Sequence, residues 1–251
     1  MNKYIIITAR SSSSRLKNKI LKKVTSTDLS IDILIKRALL INLPICLATS
    51  KEASDDKLVN YVKKKYKIKI FRGNKNNKII RWLDCMKKMK IDVAGFIDGD
   101  DLAFDFKLYK TEMFKIKNKN FKSLKFPNKL VTGTFTYIFL LKDIIKLNKY
   151  TKKLKSIDVI EYYLKYLKNI KEVKVNKFLL NKKIRLTLDY KDDLIFFKKL
   201  YKDISVVENT KNIIKYLEIN KKIKNINYYL DEYWRKNQIK EIKFHEKKNR
   251  L

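Results

Sequence analysis

Tyr4-Ile-Ile-Ile-Thr-Ala-Arg-Ser-Ser-Ser-Ser-Arg-Leu-Lys-Asn-Lys-Ile-Leu21 decides how this 251-residue chain is read. The run Ile5 to Ile7 is short, continuous and β-branched, the pattern of a strand covered on both faces. Ala9 and Arg10 follow it, then four serines, Arg15 and, four residues on, Lys19. A buried strand that opens into hydroxyls and three cations suits a polyphosphate. Hydroxyls and backbone N–H groups donate to its oxygens while the cations neutralise its charge. A solvated basic loop fits the same residues equally well. Neither G-x-x-x-x-G-K-[ST] nor G-x-G-x-x-G occurs to separate the two readings.

Outward from this stretch, strands and helices alternate. Asp28 to Ile41 is spaced for a helix carrying Ile31, Leu34, Ile35, Ala38 and Leu39 on one face. Pro44 introduces a second strand, Ile45 to Ala48. Ser54-Asp-Asp opens a helix with Leu58, Tyr61, Val62 and Tyr66 inward. Ile68 to Phe71 reads as a third strand, Ile79, Leu83 and Met86 mark the next helix, and Val93 to Ile97 is the fourth strand. This order predicts right-handed βαβ units in a three-layer α/β/α fold with a mostly parallel sheet, whose ligand sits at the carboxyl ends of the strands. Beyond residue 104 the pattern weakens: Val131 to Leu140 is β-prone, and Ser156 to Ile170 fits a helix through Ile157, Ile160, Leu164 and Leu167. Ile184 to Leu188 reads as a strand ending in Asp189, followed by a helix with Leu194, Phe197, Tyr201 and Ile204 inward. Residues 206–238 predict two more helices with Leu217, Ile226, Tyr229, Leu230, Tyr233 and Trp234 on their apolar faces.

The fourth strand ends in Asp98-Gly99-Asp100-Asp101. Three carboxylates in four residues repel one another, and a hard divalent cation such as Mg²⁺ takes oxygen ligands of this kind. An acidic turn with helix-capping aspartates fits the cluster as well. Its expected place, on the sheet edge that also carries the 10–19 loop, is what favours an ion.

The bulk composition limits the alternatives. The net charge is +35, with 45% hydrophobic residues, four glycines and two prolines. Nucleic-acid binding is one account of such charge. Here, however, the lysines are spread over nearly every segment, alongside abundant Asn, Ile, Tyr and Phe, so a compositional bias of the whole chain is favoured over a nucleic-acid role. No apolar run approaches membrane-spanning length and the N-terminus enters a strand directly, which predicts a cytoplasmic protein without a membrane partner. Cys46 and Cys85 lie in apolar segments and read as buried free thiols; His245 is the only histidine, which leaves little material for histidine catalysis or zinc.

Arg10-x-x-Ser13-x-Arg15-Leu16-x-x-Lys19-x-Leu21 resembles the opening signature of the sugar-acid cytidylyltransferases, the acylneuraminate and spore coat polysaccharide branch, which reads roughly A-R-M-G-S-S-R-L-P-G-K-V-L. Ser12 stands at that signature's first glycine and Lys17-Asn18 at its Pro-Gly. Three further segments resemble the same family: Ala48-Thr49-Ser50 with Asp55-Asp56, Phe71-Arg72-Gly73 with Arg81, and Arg185-Leu-Thr-Leu-Asp189. Gly99-Asp100 resembles its G-D-x-P-L element without the proline. The resemblance implies a nucleotide-diphospho-sugar transferase type of fold, with a nucleotidyltransferase domain over 1–205 and a C-terminal helical extension over 206–251. It implies transfer of CMP from CTP to an ulosonic or sialic acid-like sugar, with release of pyrophosphate, for surface polysaccharide or glycan assembly. Ala9, Arg10, Ser13, Arg15, Lys19, Arg72 and Arg81 would then bind the nucleotide, with Arg10, Lys19 and Asp100 catalytic. Asp100 and Asp189 would hold Mg²⁺, Asp192 and Asp193 would cap the next helix, and the 104–180 region would close the sugar pocket and supply a homodimer contact. A glycosyltransferase using Asp98-x-Asp100 as its metal motif, and an inactive or nucleic-acid-binding relative on the same fold, are the competing readings.

Overall fold

The computed structural model describes residues 1–248 except 14, 119, 155, 158 and 181; of residues 238, 239 and 241–248 it describes the backbone alone, so the His245 side chain and one of the four loop serines lie outside the described residues. The first half follows the expected alternation: β1 (Lys3–Thr8), α1 (Ser30–Leu39), β2 (Ile45–Ser50), α2 (Asp56–Lys65), β3 (Lys69–Gly73), α3 (Lys78–Lys88) and β4 (Val93–Asp98). The second half contains α4 (Phe106–Lys115), the short strand β5 (Leu124–Lys125), β6 (Tyr137–Leu140), α5 (Leu141–Thr151), a second short strand β7 (Lys171–Glu172) and α6 (Lys191–Asp203). Three helices follow, α7 (Thr210–Ile219), α8 (Lys221–Lys224) and α9 (Tyr229–Lys248), one more than the spacing of 206–238 predicts.

The seven strands form one sheet in the order β3-β2-β1-β4-β6-β5-β7. β1 runs parallel to both β2 and β4, and β6 is antiparallel to β4 and β5. Alternation along β1 sorts the helices into two layers. Ile5 and Ile7 share a core with Ile31 and Leu34 of α1, Leu58 of α2, Tyr109 of α4 and Phe197 of α6. Ile6 faces the other way, into a core with Ile79, Trp82 and Met86 of α3 and Ile144 of α5. Cys46 and Cys85 are both buried free thiols of this second core. The result is a three-layer α/β/α domain, as the sequence predicts.

Several local expectations are corrected. Leu39, predicted on the apolar face of α1, is 52% exposed, because that face is completed by Ile33 and Ile41. Among the described residues of 156–170 the only helical stretch is a 3-10 turn, Glu161–Tyr166. The backbone of Ile157 is committed elsewhere, accepting from Lys78 N and donating to Asn76 O, which a helix would not permit. Of the β-prone 131–140 stretch only Tyr137–Leu140 enters the sheet. The segment before Asp189 is extended but makes no strand: Leu186 N donates to Thr132 O and Leu188 N to Asp100 O, two different loops instead of one neighbour. Tyr229 and Tyr233, expected inward, are exposed, the hydroxyl of Tyr229 reaching Asp192.

Candidate active site

The strand order reverses between β1 and β4, so the loops leaving their carboxyl ends diverge and open a crevice. Gly99 lets these loops start in contact: its N–H donates to Thr8 O, and a Cβ there would lie 2.9 Å from both Thr8 O and the Ala9 Cβ. The crevice is a cleft of about 760 Å³, lined by the 8–20 loop, Asp98 to Asp101, the 126–137 segment, Asp189 and Trp234, Arg235, Asn237 and Lys240 of α9.

Its floor is acidic. Carboxylate oxygens of Asp98, Asp100 and Asp101 lie within 4.8 Å of one another. Lys78 of α3 pairs with Asp98 at 2.5 Å, and Thr136 Oγ1 donates to Asp101 at 3.3 Å. Lys19 Nζ donates to Asp100 Oδ2 at 2.8 Å and to Asp189 Oδ1 at 2.9 Å. Burial pulls the Lys19 ammonium down, but the two carboxylates outweigh it and hold it above its ordinary value. Burial, with Asp189 and Asp98 adding to it, pushes Asp100 up despite Lys19. Asp101 is pushed up well beyond the usual range by burial and by its two acidic neighbours.

Asp189 is the best-held of these groups. It is 1% exposed and takes Arg15 Nη2 at 2.7 Å and Arg185 Nη2 at 3.1 Å besides Lys19. Burial would raise its carboxyl; Lys19 and Arg15 oppose this and hold it down to about 2. Arg185, fully buried, is fixed by Asp193 Oδ1 at 2.9 Å and faces Asp231 of α9 at 3.7 Å. Asp193 Oδ2 also accepts from the backbone N–H groups of Asp189 and Tyr190, so it caps α6 as expected and is an ion-pair partner as well. Asp192 takes a hydrogen bond from Tyr229 instead.

The 9–19 loop forms the opposite, cationic wall. Ala9, Arg10, Ser13, Arg15, Lys19 and Arg81 all line the cleft. Arg10 Nη1 donates to Lys75 O, and Arg81 Nη1 to Asn74 O and Lys75 O, which ties both guanidinium groups to the turn before α3. Asn18 adopts φ 54, the left-handed conformation that a glycine takes most easily and asparagine tolerates, while Ser12 needs no positive φ. Arg72 is the exception among the predicted ligand contacts. It does not line the cleft; its fork holds Ser50 O, Glu52 O and Asp56, and β3, which carries it, is the edge strand, two out from β1.

The sequence assigned no role to several residues that build the site. Asp55 is buried and accepts from Ser11 N at 2.6 Å, Thr49 Oγ1 at 2.9 Å and Ser50 N at 3.1 Å, which ties the 9–19 loop to the end of β2. Lys78 and Asp231 are invisible to periodicity because their partners Asp98 and Arg185 are distant in the chain. Trp234, predicted in an apolar packing face, lines the cleft with Arg235 and Lys240.

Carboxylate oxygens of Asp98, Asp100 and Asp101 cluster on the floor, and Lys19 joins Asp100 to Asp189; such a donor set fits a hard divalent ion. Among the described residues no helix is long and apolar enough to cross a membrane.

Residues 4–223 match the family described as cytidylyltransferase. An uncharacterized protein of Methanocaldococcus jannaschii is 26% identical over 228 residues, 88% of this chain and 93% of the relative. A solved cytidylyltransferase from Leptospira borgpetersenii serovar Hardjo-bovis superposes with a TM-score of 0.78 at 24% identity, covering 90% of this chain and 98% of its own. A CMP:2-keto-3-deoxy-manno-octonic acid synthetase solved with CTP superposes at 0.59 with 14% identity, covering 81% and 99%.

Proposed function

This chain belongs to the cytidylyltransferase family, and we propose that it transfers CMP from CTP to a sugar acid with release of pyrophosphate. The observation that carries this reading is the meeting of Asp100 and Asp189 on Lys19, beside Arg10 and Arg15, in one cleft.

The acceptor hydroxyl attacks the α-phosphorus, the bond to the bridging oxygen of the β-phosphate breaks, and pyrophosphate leaves. This chemistry needs charge neutralisation and in-line positioning more than covalent help. Arg10, Arg15 and Lys19 neutralise the triphosphate, and Ser13 with the loop N–H groups orients it. Arg81 stiffens the wall behind Arg10 by holding the same carbonyl, Lys75 O. Asp100 and Asp189 would hold Mg²⁺, which supplies further charge neutralisation when bound. The sugar-acid acceptor rests on the 10–21 signature, and the acceptor class suits a product destined for surface polysaccharide or glycan assembly.

The test is a pyrophosphate-release assay with CTP, Mg²⁺ and a panel of ulosonic acids. Turnover is expected, with Asp100→Asn lowering kcat by at least ~100-fold. Undiminished turnover in that variant overturns the metal assignment, and release of a nucleoside diphosphate from a nucleotide sugar would favour a glycosyltransferase instead.

A further inference from the structure

Arginine is rare in this chain: eight residues against 53 lysines. In a chain so rich in lysine, the arginines are the positions to search for a side chain used as a planar, two-pronged fork and not merely as a charge. The described arginines bear this out. Arg37 and Arg185 are fully buried, Arg37 on the carbonyls of Phe104, Val206 and Glu208. Arg72 grips two carbonyls, and Arg10, Arg15 and Arg81 line the triphosphate side of the cleft. Arg235 is the one left, and it lines the same cleft from α9.

Its surroundings preorganise it. Nε donates to Asp231 Oδ2 at 2.8 Å and Nη2 to Thr132 Oγ1 at 3.2 Å, which fixes the plane of the fork. Nη1 makes no hydrogen bond among the described residues, the Glu161 carboxylate of the same cleft is a further electrostatic neighbour, and the side chain is 51% exposed. A run of contacts then leads inward: Asp231 to Arg185 at 3.7 Å, Arg185 to Asp189 at 3.1 Å, and Asp189 to Lys19 at 2.9 Å. Charges alternate along it, so Arg235 is joined to Lys19 through Asp231, Arg185 and Asp189. Lys129 and Lys240 also line the cleft, but as point charges on flexible stems they carry less directional information.

We propose that Arg235 binds the oxyanion of the acceptor, in the same cleft whose 10–19 loop faces the triphosphate. This rests on the nucleotidyl-transfer reading and adds to it the residue that selects a charged acceptor. An acceptor carboxylate and an acceptor phosphate present the same oxyanion chemistry to a guanidinium.

The experiment compares the parent, Arg235→Ala and Arg235→Lys with CTP, Mg²⁺ and three probes: 2-keto-3-deoxy-manno-octonic acid, N-acetylneuraminic acid and a polyol phosphate. Lys236→Ala, an exposed residue paired with Glu232, is the control. Arg235→Ala is expected to raise the acceptor KM at least tenfold, with kcat and the KM for CTP within threefold of the parent. Arg235→Lys should recover only part of the loss, and Lys236→Ala should show no loss. An unchanged acceptor KM in Arg235→Ala, or an equal rise in the KM for CTP, overturns the proposal. A parent that uses only the phosphate probe, with the same KM rise on substitution, sinks the sugar-acid reading and keeps the role of Arg235. A parent that turns over none of the probes, and binds none of them in calorimetry with CMP present, overturns both.

Discussion

Asp100 and Asp189 share one cation: the Lys19 ammonium lies 2.8 Å from the first and 2.9 Å from the second. Asp100 leaves β4 and Asp189 precedes α6, and the backbone bond from Leu188 N to Asp100 O clamps the two segments together. Gly133 makes room for that clamp, at φ 86 and so close to Leu186 that a Cβ would stand 2.2 Å from its carbonyl oxygen. The proposed metal position is thus built by three loops, each held by backbone contacts.

Lys19 and a divalent ion would compete for the same two oxygens. Lys19→Met is therefore expected to tighten Mn²⁺ binding in the absence of nucleotide by about tenfold, roughly 1.4 kcal/mol, while lowering kcat through loss of a triphosphate contact. Paramagnetic resonance titration of Mn²⁺ reads the first effect directly. Equal Mn²⁺ affinity in parent and variant would show that the ammonium does not block the position.

Gly99→Ala places a methyl against Thr8 O and Ala9 Cβ. The loops of β1 and β4 must separate, at a cost of about 1–3 kcal/mol. Urea denaturation should report the lost stability, and titration with CTP should show weakened binding in the folded variant. Binding and stability equal to the parent would mean the loops have slack that the close contact denies.

Arg185 balances Asp189 and Asp193 in a setting from which water is excluded. Arg185→Met leaves both carboxylates short of a partner, and the expected loss is about 3–5 kcal/mol. Arg185→Lys keeps the charge but cannot span both carboxylates, so it should retain the fold while requiring more Mg²⁺ for half-maximal activity. A parental denaturation midpoint in Arg185→Met would remove the network from the account.

Asp32 gives a pH-dependent prediction away from the site. It is fully buried and accepts from Leu29 N at 2.8 Å and from the hydroxyls of Tyr61 and Tyr66 at 2.7 Å each. Burial alone would raise its carboxyl, but these donors and Lys65 hold it below the ordinary 3.8. A depressed folded value means that Asp32 contributes stability above the unfolded value, and that the contribution fades as pH falls through the folded one. The stability gap between the parent and Asp32→Asn should be full at pH 7 and shrink below about pH 4. A gap that persists unchanged at pH 2 contradicts the assignment.

The legible part of this protein is the part with local causes. Ile5 to Ile7, the Ile31-Leu34-Ala38 spacing and the Asp98-Gly99-Asp100-Asp101 turn each announce their element within a few residues, because burial of a strand or helix face depends on a short period. The resemblance of the 10–21 and 185–189 segments added the expectation that they work together. Residues 156–170 were misread for the converse reason: their spacing is helical, yet Ile157 spends its backbone on the turn before α3.

By itself, then, the sequence determined the alternating strands and helices, the cationic loop and the acidic turn, since hydrophobic period and local charge are written in neighbouring residues. Only the tertiary structure decided that Arg72 points away from the cleft while Trp234 and Arg235 point into it, and that Arg185 joins Asp189 to α9. Charge pairing acts over a few ångströms of space and is indifferent to distance along the chain, so the partners of a buried ion become known only once the layers have packed.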